Sequence, residues 1–480
     1  MHHIRHYETQ QQGWTNSGLD PIVHWHTLNT IDLLKKRMKS TLLLLGPLAA
    51  LNLSAANWPQ FRGPQASGLD TNSTAPIQWS VERGENIRWQ ARVPGLGHSS
   101  PIIWGDRVYL TTAVLPGKAD LKVGLYGDIE SSTDVGPQEW RLLAIDKANG
   151  KVIWDKLGHA GLPRVKRHPK GSHCSSTPAT DGKVIVAIFG SEGLFCFDMN
   201  GKPVWKKDLG PMDSGYYVVR SAQWGFASSP VIYGDKVVVL CDVQTNSFLA
   251  VFDLLSGKEL WRTPRNDVPT WGTPTVAQSG GQTKILVNGW HHSAAYDVAN
   301  GKEIWHLNDG GDIPVPTPIV ANDLAYFTSG HGKSRPMRAI RLDAKGDITP
   351  PKVGDTNAAI LWAHDKKGNY MQTPIAVGEN VYGCIDFGVL TCFDAKTGAV
   401  HYSERLGNGG EGFTASPVSD GRHLYLASEI GNVYVVPASG TFSVVATNKL
   451  GETCMASPAV VDGTLFFRTR EHLIAVGGQK

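Results

Sequence analysis

Leu143-Ala144-Ile145-Asp146-Lys147-Ala148-Asn149-Gly150-Lys151-Val152-Ile153-Trp154 is the stretch that decides the fold. An apolar run ends in Asp, a Gly-Lys turn follows, and an aromatic stands four residues after the Gly. The pattern returns as Asp198, Gly201-Lys202, Trp205, then as Asp253, Gly257-Lys258, Trp261 and as Asp297, Gly301-Lys302, Trp305. A reduced copy reads Asp394, Gly398, Tyr402. Working outward, a Ser/Thr-Pro step precedes each copy. There are eight such steps: Ser100-Pro101, Thr177-Pro178, Ser229-Pro230, Thr273-Pro274, Thr317-Pro318, Thr373-Pro374, Ser416-Pro417 and Ser457-Pro458. Successive prolines lie 77, 52, 44, 44, 56, 43 and 41 residues apart. A repeat of roughly 40 to 55 residues made of short β runs and Gly turns is one four-stranded blade of a propeller. The expected fold is all-β: an eight-bladed β-propeller of four-stranded antiparallel blades.

The second unit shows the blade at its most compact. Thr177-Pro178-Ala179 opens strand A, Asp181-Gly182 turns into strand B over 184–189, and Gly190-Ser191-Glu192-Gly193 turns into strand C, which ends at Asp198. Gly201 then leads to Val204-Trp205 on strand D. Asp-Gly turns tolerate positive φ, and proline sits where a missing N–H removes no ladder bond. The strand-D Trp is predicted to be a packing wedge between blades, whose burial contributes about 2–3 kcal/mol. After Ser457-Pro458 three apolar runs appear, and the chain ends without a Trp strand. Ile87-Arg88-Trp89-Gln90-Ala91-Arg92-Val93-Pro94 lies before the first Ser-Pro and is predicted to complete the eighth blade. One strand from each terminus then closes the ring and removes its free edges. The propeller is placed over 87–480, with an ordered irregular arm over 57–86.

At 480 residues the length alone suggests several domains, but blades of one ring are not counted separately. A formal charge of +3 and the lack of a basic stripe exclude a nucleic-acid binder. Arg164-Val165-Lys166-Arg167-His168 reads as a solvated loop. Near the N-terminus, Lys35-Lys36-Arg37-Met38-Lys39, an apolar run over 42–51 and Ser54-Ala55-Ala56 form a secretory signal peptide over 38–56, cleaved after Ala56. Residues 1–37 read as an extension upstream of the true start at Met38. The apolar run is too short to span a membrane, and no Cys follows it to carry a lipid anchor. The expected protein is periplasmic or secreted, with no transmembrane segment, and monomeric. The six cysteines contain no C-x-x-C pair, which removes zinc-ribbon, thioredoxin and c-type haem readings. Cys384 and Cys392 flank a short turn and stand either as a disulfide or as two buried thiols.

The unit Ala/Phe-x-Asp-x-x-(Thr/Asn)-Gly-Lys-x-x-Trp resembles the pyrroloquinoline quinone (PQQ) type propeller repeat over nearly all of 57–480. The opening Trp58-Pro59-Gln60-Phe61-Arg62-Gly63-Pro64 is similar to the start of bacterial secreted, BamB-like members. The resemblance implies one of two branches. Quinoprotein alcohol dehydrogenases bind PQQ in the ring centre. The propeller lipoprotein of the outer-membrane β-barrel assembly machine (BamB) keeps the repeat without a cofactor.

A quinoprotein needs a cation such as calcium to polarise the quinone, and hence converging oxygen ligands. It also needs an Asp base. In the resembled dehydrogenases a disulfide between adjacent cysteines sandwiches the quinone, and this chain has no Cys-Cys. The reading is therefore a non-catalytic binding or scaffold module that meets a protein partner or a small polar ligand such as a sugar. The alternative is a PQQ- and calcium-dependent alcohol or sugar dehydrogenase with an atypical site. Residues just before each strand A, together with the B–C turns, should rim one end of the central channel. The funnel candidates are His98, His173, Trp224, Trp271, His331, Arg335, Gln372, Phe413 and Met455, with His291, His292, Lys333 and Glu429 on further B–C turns. Trp224 and Trp271 stand outside the wedge pattern, and such aromatics beside cations suit a flat polar ligand or a sugar. Two insertions stand out: 114–139 between strands B and C of the first blade, and 347–359 in the fifth. Inserted loops on a propeller face are where specificity resides.

Overall fold

The computed structural model describes residues 56–117, 119–124, 130–134 and 136–478. The predicted signal peptide and upstream extension lie outside the described residues. Eight sheets follow one another along the chain, each built on antiparallel strands taken in chain order. The first blade comprises Ile102–Trp104, Arg107–Val114, Gln138–Asp146 and Val152–Gly161. The eighth comprises Ala459–Val461, Thr464–Arg468 and His472–Val476, and Ile87–Arg92 pairs antiparallel with the last of these, Gln90 opposite Ile474. The predicted closure by both ends of the chain is what the structure shows. Strand A of every blade runs away from one face, so the segments before strand A and the B–C turns share that face, called here the loop face. The A–B turns lie on the opposite one. No helix among the described residues is long and apolar enough to cross a membrane.

The repeat has a mechanical meaning. The indole N–H groups of Trp89, Trp205, Trp261 and Trp362 donate to the carbonyls of Lys147, Leu254, Val298 and Ala395, at 2.9–3.0 Å. Each acceptor is the residue following the repeat Asp of the next blade, so the wedge is a hydrogen-bonded dock as well as an apolar one. The repeat Asp organises the turn being docked: Asp146 Oδ1 accepts the N–H groups of Ala148 and Asn149. The glycine is required because a Cβ on Gly150, at φ +74°, would lie 2.6 Å from the Trp89 ring. Gly150→Ala is expected to destabilise by about 2 kcal/mol, from a strained left-handed residue and an overpacked indole. Urea unfolding checks this, and Ala148→Gly in the same turn serves as a control. Trp154 differs: its N–H is buried without a partner, while the corresponding carbonyl, that of Met199, takes the Arg107 guanidinium at 3.0 Å.

The Ser/Thr-Pro steps explain themselves in the same way. The N–H of Ser100 donates to the Thr177 hydroxyl, and the chain continues through Ser229, Thr273, Thr317, Thr373 and Ser416 to Ser457. Seven links, 2.9–3.1 Å long, thus lace all eight inner strands around the bore. Proline suits the strand start; the hydroxyl before it joins one blade to the next.

Three expectations need correction. Insertion 347–359 is not a free surface loop: Gly346–Asp347 pairs in parallel with Glu303–Leu307 and makes blade 4 five-stranded, leaving Trp305 buried. The disulfide alternative fails, since Cys384 opposes Leu390 while Cys392 opposes Tyr382, and all six cysteines are free and buried. Within the 164–168 cluster Arg164 and Lys166 are exposed, but Arg167 is buried.

The arm crosses the ring on the A–B-turn face. Trp58 exchanges backbone bonds with Ile103 of blade 1, Pro59 accepts from Thr180 of blade 2, and Asp70 and Gly68 bracket Ser419 of blade 7. Between these points Arg62 enters the bore. Its guanidinium donates to the carbonyls of Ala66, Ser67, Pro374 and Pro417, the last two directly beneath the hydroxyl ring. Among the described residues no carboxylate pairs with it, and burial pulls its pKa down to about 9. Gly63 and Gly68 exist for this plug: a Cβ on the first would strike Trp58 and on the second Arg62, at 2.6 and 2.4 Å.

Candidate functional site

On the loop face the bore is closed by chain from blades three places apart in the ring. Lys170, before strand A of blade 2, meets Glu429, on the B–C turn of blade 7, at 2.5 Å. Glu429 also accepts from the Thr414 hydroxyl at 2.6 Å and the Gly124 N–H at 2.8 Å. Gly124 belongs to the blade 1 insertion, which therefore folds over the funnel rather than decorating the rim. Arg167 pins that insertion, donating to the carbonyls of His168, Pro169, Gly171 and Asp120 and pairing with Asp134. An arginine with its fork spread over carbonyls and one carboxylate is well satisfied although buried.

Around this lid the predicted residues divide. His98 Nε2–H donates to the Lys170 carbonyl, 3.0 Å away. Burial, with the Arg468 and Arg167 charges, pushes its pKa down to about 3. His173 lies buried against Trp140, and burial with Arg167 pushes it down to about 4. Gln372, Phe413 and Met455 are buried too, Gln372 Nε2 donating to the Phe413 carbonyl at 2.5 Å. His331 is held by Asp312 at 2.8 Å, and Arg335 is exposed. Its charge acts on Asp386, whose pKa burial raises and Arg335 and Lys170 pull back. Tyr370, raised by burial, feels Asp386, Asp312 and Tyr216 together, so groups from blades 3, 5 and 6 do converge.

Trp224 and Trp271 stand in a larger assembly. Trp224 stacks on Tyr216, centroids 5.4 Å apart and planes 6° from parallel, and lies 5.8 Å from Trp271. Tyr216 touches Tyr217, Tyr217 touches Trp290, and Trp290 stacks on His291 at 3.9 Å. The arc is built by a short hairpin over 214–224, closed by Tyr216 N–H to Ala222 O and Trp224 N–H to Ser214 O. Its far end is set by Asp267, whose carboxylate takes the N–H groups of Trp290, His291 and His292 at 3.1–3.2 Å. Sequence reading missed Lys170, Tyr216, Tyr217, Trp290, Asp312, Tyr370 and Asp386. Tyr216-Tyr217 beside Trp224 was the one visible signal, an aromatic pair with no place in the blade repeat.

The donor chemistry bears on calcium and a quinone. Calcium takes about six to eight oxygens. Here the Glu429 oxygens are committed to Lys170, Thr414 and Gly124, and Asp312 serves His331 and, at 3.4 Å, the Tyr217 hydroxyl. Among the described residues no three His, Cys, Asp or Glu side chains are grouped to hold a metal ion. The residues present do not fit a calcium–quinone centre, and no step is derived through one.

The chain is similar in fold to quinohemoprotein alcohol dehydrogenase from Comamonas testosteroni, with TM-score 0.56 and 13% identity over 88% of this chain and 81% of that one. A europium-containing methanol dehydrogenase gives TM-score 0.54 and 12% identity over 86% and 89%. BamB from Moraxella catarrhalis gives 0.49 and 12% over 76% and 99%. At such identities the likenesses to the two dehydrogenases speak to fold alone. No curated protein matches in sequence. The family model described as outer membrane protein assembly factor BamB matches residues 72–215 and 138–404, together more than half of the chain. The chain therefore belongs to the PQQ-type β-propeller family that this model defines.

Proposed function

We propose that the protein is a non-catalytic binding or scaffold module of the bacterial cell envelope, periplasmic or secreted and monomeric, working through its loop face. The observation that carries this reading is the double closure of the bore, by Lys170–Glu429 and the blade 1 insertion on one side and by Arg62 on the other. A cofactor placed at the axis would have to break that lid, whereas the aromatic arc at the rim is already presented. The basic and apolar segment before Ala56 and the BamB-type family support the envelope assignment.

Reconstitution of the full chain with PQQ and calcium tests it. A cofactor at about 100 times its dissociation constant stabilises by about 2.7 kcal/mol. The expected result is no shift in thermal unfolding and no dye reduction with alcohols or sugars. Stabilisation together with turnover would make the protein the dehydrogenase of the alternative reading.

A further inference from the structure

We propose that Asn408 is a site of spontaneous deamidation, a modification that the fold directs to one loop on the loop face. The chain holds five Asn-Gly steps, at Asn149, Asn200, Asn288, Asn300 and Asn408. Such a step is labile because glycine has no side chain to shield its N–H, whose nitrogen can attack the preceding side-chain amide. Four of the five are locked. The N–H groups of Gly150, Gly201 and Gly301 donate to the carbonyls of Asp146, Asp198 and Asp297 at 2.8–2.9 Å. Each of these turns is also pressed against the Trp of a neighbouring blade, Trp89, Trp154 and Trp261 in turn. At the fourth, the Gly289 N–H donates to the Ser293 hydroxyl at 2.9 Å, and buried Asn288 spends its amide nitrogen on the carbonyls of Pro316 and Thr328.

Asn408 is not held in this way. It is exposed in the loop that follows strand D of blade 6, Val400–Arg405. Among the described residues the Gly409 N–H has no acceptor, while the next N–H, that of Gly410, donates to Asn408 Oδ1 at 3.1 Å. That bond steadies the charge that grows on Oδ1 during attack. Asn149 and Asn300 accept like bonds from Lys151 and Lys302, but there the attacking N–H must first give up its carbonyl. At Asn408, base from solvent takes the Gly409 N–H proton, the nitrogen bonds to Cγ, and the Cγ–Nδ2 bond breaks. Nδ2 leaves as ammonia with a proton from water. Water then opens the succinimide at either carbonyl to give aspartate or isoaspartate, with no oxidant or reductant involved. The lesion lies close to the lid, since Gly412, a few residues on, accepts the Glu429 N–H at 2.8 Å. An isoaspartate lengthens the main chain by a methylene beside that contact.

Holding the full chain in warm, mildly alkaline buffer and mapping its tryptic peptides by mass tests this. The peptide 406–422 carries Asn408 and no other asparagine. Its amide is expected to become an acid, and the peptide to split on chromatography into aspartate and isoaspartate forms. Conversion should run at least about tenfold faster than at any of the other four steps. In concentrated urea all five should convert at similar rates, because the bonds that lock four of them are gone. Equal rates at Asn149, Asn200 or Asn300 in the folded chain overturn the proposal. So does an Asn408 that stays an amide in the folded chain while the excised peptide converts. A lead at Asn408 that persists undiminished in urea overturns the part assigned to the fold.

Discussion

Arg62→Ala is expected to destabilise the propeller by about 4 kcal/mol and to expose residues 57–86 to proteolysis. The guanidinium is fully buried and spends its fork on four main-chain carbonyls from the arm and from blades 6 and 7. Each buried polar group left without a partner costs about 1–3 kcal/mol, and the vanished stem leaves a cavity. Relief of the unpaired charge offsets part of this, since burial already lowers the Arg62 pKa to about 9. Arg62→Lys should fall between, because one ammonium cannot span Pro374 O and Pro417 O while also reaching Ala66. Urea unfolding and limited trypsin digestion measure the two effects. An alanine variant within about 1 kcal/mol of the parent, with its arm still protected, would show that the Trp58 and Asp70 contacts hold the arm unaided.

The same residue shows how far the sequence could be read. The period, the turns and the closing strand were legible because each is a local signal repeated eight times or set by the ends of the chain. Trp58 to Pro64 was legible only as an opening motif; that its arginine enters the bore depends on where residue 62 lies relative to 374 and 417, which no spacing reveals. The candidate site divided for a related reason. Positions before strand A share one face, but spacing does not distinguish a side chain facing the funnel from one turned into the core. So Gln372, Phe413 and Met455 went inward while Trp224 and Trp271 remained at the rim. Lys170 and Glu429 are 259 residues apart, and a pair across a ring has no sequence signature. The 164–168 cluster misled because charge runs are usually solvated; Arg167 is the exception because the blade 1 insertion brings Asp134 and several carbonyls to it.

Acid should loosen this lid before it unfolds the blades. His98 and His173 have folded pKa values near 3 and 4, set first by burial and then by Arg468 and Arg167 for His98 and by Arg167 for His173. The unfolded value is about 6.5. Between these limits the unfolded chain binds protons that the folded one refuses, so stability is full above about pH 6.5 and falls as the pH drops. Each residue then loses about 2 kcal/mol by pH 5, and the pair about 4. Below pH 4 His173 contributes no further loss, and below pH 3 neither does His98. Carboxylates act in a lower window: despite burial, the N–H groups of His423, Arg422 and Ala75 hold Asp420 below its ordinary value, so its contribution is lost only as the pH falls through the acid range. Urea midpoints between pH 8 and 4 measure the slope. The double variant His98→Gln, His173→Phe should flatten it above pH 5, since glutamine keeps a donor for the Lys170 carbonyl and phenylalanine keeps the ring beside Trp140. An unchanged midpoint from pH 8 to 5 in the parent would refute the assignment. The damage should also be local. His98 bonds the carbonyl of Lys170, whose ammonium closes the bore on Glu429, so amide exchange over 165–174 is expected to rise at pH 5 while the hydroxyl-laced inner strands remain protected.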